Sequence, residues 1–140
     1  MSHDYRMKIL SKKFKCLVVD DEQDILEIMQ IILSKICDEV IVSPSATEAL
    51  TSTDFQDIDL IFSDISMPGL SGMEFLKTLR AHHIKIPFIF LSGFSDHERM
   101  KEAEKLGANL YLTKPFKAQD ILNAARNYIS EERLVEDRRI

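Results

Sequence analysis

Acidic residues stand where two apolar runs stop. Asp20 and Asp21 follow "KCLVV", and Asp64 closes "IDLIFS" just before the chain breaker "MPG". Farther on, "IPFIFL" runs into Ser92-Gly93, and "NLYLT" runs into Lys114-Pro115-Phe116. Carboxylates brought together raise one another's pKa and repel unless a cation joins them. Hard oxygen donors in an incomplete set suit Mg²⁺, which keeps several waters and takes one or two carboxylates together with phosphate oxygens. A lysine facing such a cluster pairs with a carboxylate at rest and pairs better with added phosphoryl charge. A serine hydroxyl can donate to another phosphoryl oxygen. If the fold gathers these positions, the chain holds a nucleophilic carboxylate, metal ligands, a cation and a hydroxyl donor. Those are the components needed to accept a phosphoryl group on a carboxylate.

The elements that must gather them are legible from periodicity. "KCLVV", "VIV" (40–42), "IDLIF" (58–62), "IPFIFL" (86–91) and the weaker "NLYLT" (109–113) are short and nearly all apolar, as strands are when buried on both faces. Helical spacing lies between them. Ile25, Ile28, Met29, Ile32 and Ile36 share one expected face, and Ile121, Leu122, Ala125, Tyr128 and Ile129 form a second stripe from Lys117 onward. Capping boxes at Ser45-x-x-Glu48, Ser71-x-x-Glu74 and Ser95-x-x-Glu98 mark three helix starts, and Gly107 marks a stop. The order βαβαβαβαβα with short connections requires parallel strands and right-handed crossovers. The expected fold is therefore α/β, a doubly wound five-stranded parallel sheet with five helices. Ligands of such sheets bind beyond the carboxyl ends of the strands, where the polar positions above fall.

Composition bounds the function classes. The 140 residues suffice for one domain and one core, with 45% apolar and 29% charged residues. A net charge of −5 and a pI near 5.4 argue against nucleic acid as a partner. No apolar run approaches the roughly 20 residues that span a bilayer, so no membrane role is expected. Cys16 and Cys37 lack C-x-x-C spacing and read as buried, reduced core residues, which fits a cytoplasmic location. The expected organisation is an N-terminal extension over 1–11, one domain over 12–131 and a charged tail over 132–140. Val135 continues the spacing of Ile121 and Tyr128, so the tail either extends the last helix or frays into solvent.

Over roughly residues 12–131 the chain resembles a response regulator receiver domain, of the stand-alone single-domain type. The residues carrying the match are Asp20-Asp21, Asp64 followed by "ISMPG", Ser92-Gly93 and Lys114-Pro115-Phe116, each at the end of an expected strand. The resemblance implies flavodoxin-like strand order 2-1-3-4-5. It implies Asp64 as phosphoacceptor, with Asp21, Asp64 and the Ser66 backbone carbonyl holding Mg²⁺ (or Mn²⁺) and Asp20 acting mainly through a water. Lys114 would clamp one phosphoryl oxygen, and Ser92, beside Gly93, would move to bond another. A cis bond before Pro115 would aim the lysine inward. Tyr111 would be the aromatic whose rotamer follows Ser92. The implied function is a phosphorylation-activated switch of a two-component or phosphorelay system. A histidine kinase or histidine phosphotransfer protein would supply the phosphoryl group. The signal would pass by contact with a downstream protein, and a homodimer through the face of the fourth helix, fifth strand and fifth helix stays open. Such a domain catalyses only its own phosphorylation and dephosphorylation.

Structural readings stand beside these roles. Asp20-Asp21-Glu22 also suits the acidic first turn of a helix, and Asp21 can cap the helix while facing a metal. A strand-end aspartate is often a turn residue, but the Ser71–Glu74 box already serves the helix after Asp64. Ser92 could be a plain turn residue and Tyr111 plain strand packing. His3, His82, His83 and His97 have no metal-ligand or acid–base spacing and read as solvated, so none is expected as a phosphodonor. A Mg²⁺-dependent phosphohydrolase would use a similar carboxylate, but its family pattern places a second aspartate two residues later, where this chain has Ser66. A phosphorylation-independent interaction module of the same fold would have no use for the acidic pair and the lysine.

Overall fold

Alternate side chains of a strand leave on opposite faces, and both sets are apolar here. Cys16 and Val18 of the first strand join one hydrophobic cluster, while Leu17 and Val19 join another on the far side of the sheet. A computed structural model of the chain describes residues 13–93 and 98–129. Its strands are β1 (Lys15–Val19), β2 (Glu39–Ser43), β3 (Leu60–Asp64), β4 (Phe88–Ser92) and β5 (Leu110–Thr113). All neighbours pair in parallel, in the order β2-β1-β3-β4-β5. The helices are α1 (Gln23–Leu33), α2 (Ala46–Ser52), α3 (Gly72–Ala81), α4 (Arg99–Lys105) and α5 (Ala118–Arg126), with a 3₁₀ turn at Phe55–Asp57.

α1 and α5 cover one face, burying Leu26, Met29, Leu33, Ile121 and Ala125 against Val18, Phe62 and Leu91. α2, α3 and α4 cover the other with Ala46, Ala49, Phe75, Leu76, Leu79 and Ala103 against Val19, Ile61 and Phe90. Phe75, Phe88 and Phe90 meet there edge to face, with ring centroids 5.7 and 4.9 Å apart. The fold is the expected doubly wound one.

Local details correct the sequence reading. The buried stripe of α1 is Leu26, Met29, Ile32 and Leu33, flanked by Ile25 and Ile36, whereas Ile28 is 46% exposed. The helix is turned toward one side of the expected seam, so that Leu26 and Leu33 share the packing with Met29 and Ile32 and Ile28 turns outward. The Ser71–Glu74 box closes both ways, with Glu74 N donating to Ser71 Oγ at 3.1 Å and Ser71 N donating to Glu74 Oε1 at 3.2 Å. At Ser45 only the serine half forms, from Glu48 N at 3.1 Å. The Asp21 cap is not made: the N-cap position of α1 is Glu22, with no side-chain bond, and the Glu22 amide donates to Asp20 Oδ1 at 2.9 Å. Gly107 stops α4 at a φ of +93°. Ser95, Phe94, His97, the extension over 1–11 and the tail with Val135 lie outside the described residues.

Candidate functional site

Strand order reverses between β1 and β3, so the crevice beyond their carboxyl ends lies at the switch point of the sheet. β1 runs into Asp20, β3 ends on Asp64, β4 on Ser92, and β5 leads to Lys114. Register makes this convergence inevitable, because Asp64 pairs with Leu91 and Ser92 with Thr113 across adjacent strands.

Lys114 Nζ donates to Asp20 Oδ2 at 2.9 Å and lies 3.6 Å from Asp64 Oδ2 and 3.7 Å from Glu22 Oε1. Its backbone is fixed by its own amide, which donates to the Ser92 carbonyl at 2.8 Å, and by the cis Lys114-Pro115 peptide that follows. Asp20 is fully buried and Asp64 is 5% exposed, while Asp21 faces solvent. Oxygens of Asp20, Asp21 and Asp64 all approach within 4.8 Å of one another. Each Asp20 oxygen already accepts from a protein donor, the Glu22 amide on one side and Lys114 on the other.

The electrostatics follow from this crowding. Burial, and then the charge of Asp20, push the Asp64 carboxyl up to about 7, against the pull of Lys114 and the Ser66 amide. Burial also raises Asp20, opposed by the Glu22 amide and the Lys114 hydrogen bond. Burial disfavours the Lys114 ammonium, but its bond to Asp20 and the charges of Asp20, Asp64 and Glu22 outweigh that and raise it overall. A divalent cation would relieve this arrangement by supplying the positive charge that one lysine cannot. The all-oxygen donor set fits Mg²⁺.

The other expected residues fall as follows. The Ser66 amide donates to Asp64 Oδ1 at 3.4 Å. Ser92 Oγ donates to the Leu112 carbonyl at 3.4 Å, a long bond that is cheap to give up. Gly93 directly follows Ser92 at the end of β4. Tyr111 packs on the α3–α4 side of the sheet and donates its hydroxyl to Glu104 Oε1 at 3.4 Å.

Three further residues contribute, of which Gly72 and Arg99 escaped the sequence reading. Gly72 N donates to the Ile65 carbonyl at 3.0 Å, and a Cβ at Gly72 would stand 1.9 Å from the Asp64 carbonyl oxygen. Only glycine lets α3 start this close to the end of β3. Its signal was a glycine at the first position of a helix, where nearly any other residue is better. Glu22 adds a third carboxylate around Lys114. Arg99 at the start of α4 donates from Nη1 to Ser66 Oγ at 2.8 Å, crossing the mouth of the site. Nothing in its local sequence marks it.

Comparison with known proteins agrees with the fold. The family model for the response regulator receiver domain matches residues 16–126, and the chain belongs to that family. It is 34% identical over 119 residues to the nisin biosynthesis regulatory protein NisR of Lactococcus lactis subsp. lactis, covering 85% of this chain and 52% of that protein. It is 34% identical over 107 residues to the alkaline phosphatase synthesis transcriptional regulatory protein PhoP of Bacillus subtilis, covering 76% and 45%. The chain thus spans about half the length of the curated relatives it matches. A receiver domain structure from Clostridium thermocellum superposes with a TM-score of 0.77 at 36% identity, over 87% of this chain and 98% of that one. The Vibrio cholerae chemotaxis protein CheY4 gives 0.76 at 29% identity, over 84% and 99%. Receiver domains are signalling switches of two-component systems rather than turnover enzymes. They work with histidine kinases and generally bind Mg²⁺ at an acidic aspartate cluster. Among the described residues no helix is long and apolar enough to cross a membrane.

Proposed function

We propose that this chain accepts a phosphoryl group on Asp64 from a histidine kinase or a histidine phosphotransfer protein and signals through altered protein contacts. The observation carrying the proposal is the buried Asp64 carboxylate with Lys114 Nζ 3.6 Å away and Asp20 and Asp21 within metal-sharing reach. Asp64 attacks the phosphorus of the phosphohistidine, a P–O bond forms, and the P–N bond breaks with its electron pair returning to the imidazole. Asp21, Asp64 and the Ser66 carbonyl would hold Mg²⁺, or Mn²⁺ in its place. Asp20 acts through a water, because both of its oxygens are held by protein donors. The bound cation supplies positive charge that keeps the Asp64 nucleophile ionised and offsets charge on the transferring group.

Phosphorylation adds charge beside Lys114, which then has a stronger partner than Asp20. Ser92 gives up its long bond to Leu112 and donates to a phosphoryl oxygen. The consequence spreads to α4, β5 and the neighbouring α5, and the first two of these pack lightly. α4 buries only Ala103, and β5 is an edge strand with no fully buried residue. This face is the proposed contact surface for a downstream protein or a second copy of the chain, with Tyr111 reporting the state of Ser92. The acidic composition and the two buried thiols favour a cytoplasmic setting.

Incubation with acetyl phosphate and Mg²⁺, read by intact mass, tests the proposal. Wild type should gain one phosphoryl group, and a chelator or Asp64→Asn should abolish the gain. No adduct on wild type, or an equal one on Asp64→Asn, would sink it.

A further inference from the structure

Cys16 and Cys37 take no part in the phosphoryl site, yet the fold brings their Sγ atoms to 2.8 Å. Cys16 lies in β1, paired with Val40 of β2, and its side chain points into the α1–α5 side of the core. Cys37 follows the end of α1, where its amide donates to the Leu33 carbonyl at 2.8 Å. The next residue is clamped to the start of β1: Asp38 N donates to the Phe14 carbonyl at 2.9 Å, and Phe14 N donates to Asp38 Oδ2 at 2.6 Å. These bonds hold the two thiols against each other from both chain directions. Cys16 is fully buried and Cys37 is 7% exposed.

We propose that Cys16 and Cys37 are a redox-modification site, converted by a peroxide to an internal disulfide that ties the end of α1 to β1. A disulfide requires side chains that converge, and these two thiols are already in contact. The Cys16 thiol is pushed up by its hydrogen bond with Cys37 and by burial. Cys37, at 7% the less deeply buried of the two, therefore meets the oxidant first. Cys37 Sγ gives an electron pair to one peroxide oxygen, the O–O bond breaks, and water and a Cys37 sulfenic acid result. Cys16 Sγ then attacks Cys37 Sγ and displaces hydroxide, which leaves as water with the Cys16 proton. Two thiols lose two protons and two electrons, and the peroxide is reduced to two waters.

The test treats folded, reduced wild type with hydrogen peroxide in native buffer, alkylates the remaining thiols and measures intact mass and linked peptides. The expected product has lost two hydrogens, alkylates at neither cysteine, yields a peptide joining positions 16 and 37, and reverts with dithiothreitol. Closing a ring of about 20 residues should raise the thermal midpoint of the oxidised form by roughly 5–10 °C. Cys16→Ala should instead accumulate oxygen on Cys37. The proposal is overturned if wild type keeps two alkylatable thiols, gains oxygen without a bridge, links only between chains, or melts no higher when bridged. Wild type alone carries every one of these readouts, so a poorly folding variant does not blunt the test.

Discussion

Neutralising Asp64 should stabilise the metal-free protein, and by an amount that depends on pH. An unfolded Asp64 ionises near 3.8, while burial and the Asp20 charge push the folded carboxyl up to about 7. Between those values the native state keeps a proton that the unfolded state has lost, so stability falls as pH rises through the window. Above about 7 the whole cost is present. At roughly 1.4 kcal/mol per pKa unit, the span from 3.8 to about 7 amounts to ~4 kcal/mol, an upper bound because solvent and Lys114 relax around the charge. Asp64→Asn keeps the shape and removes the ionisation. Urea unfolding in chelator should find the variant close to wild type near pH 4, and more stable by about 2–4 kcal/mol at pH 8. Mg²⁺ should narrow that difference by stabilising wild type more than the variant. A variant no more stable than wild type at pH 8, or a gap of equal size at both pH values, would refute the reasoning that Asp64 is held against its own charge.

Other substitutions probe the supports of the site. Gly72→Ala places a methyl 1.9 Å from the Asp64 carbonyl oxygen, so α3 or the β3 end must shift. Urea unfolding should show a loss of about 3 kcal/mol or more, and phosphorylation should slow. Lys114→Ala leaves the buried Asp20 and Asp64 without their shared cation, so unfolding at pH 8 should show a loss of about 3 kcal/mol that shrinks toward pH 5. Arg99→Ala removes an exposed bond to Ser66 Oγ and should change stability by less than about 0.5 kcal/mol. The same change should shorten the lifetime of the phosphorylated form, followed by mass, because it opens the mouth of the site to water.

The five strands were legible because each is apolar on both faces, and the strand-end residues followed from where those runs stop. Asp20, Asp64, Ser92 and Lys114 converge because parallel register aligns the carboxyl ends of β1, β3, β4 and β5. Rotation of α1 about its axis was not legible. Its sequence offers apolar residues at Ile25, Leu26, Ile28, Met29, Ile31, Ile32 and Leu33, wide enough for several seams, and packing against β1 and α5 chose Leu26 and Leu33 over Ile28. The Asp21 cap does not form because α1 starts one residue later than it requires, with Glu22 at the N-cap position and the Glu22 amide turned back to Asp20 Oδ1. Gly72 and Arg99 act through approach distances across the chain, which local patterns do not encode.

The most direct measurement of the central claim is chemical trapping of the modified residue. After acetyl phosphate and Mg²⁺, reduction with borohydride converts an aspartyl phosphate to homoserine, and peptide sequencing by mass spectrometry locates it. Homoserine at position 64, and at neither Asp20 nor Asp21, is the predicted result. Homoserine at position 20 or 21, or none in a sample whose intact mass shows a phosphoryl group, would contradict Asp64 as the phosphoacceptor.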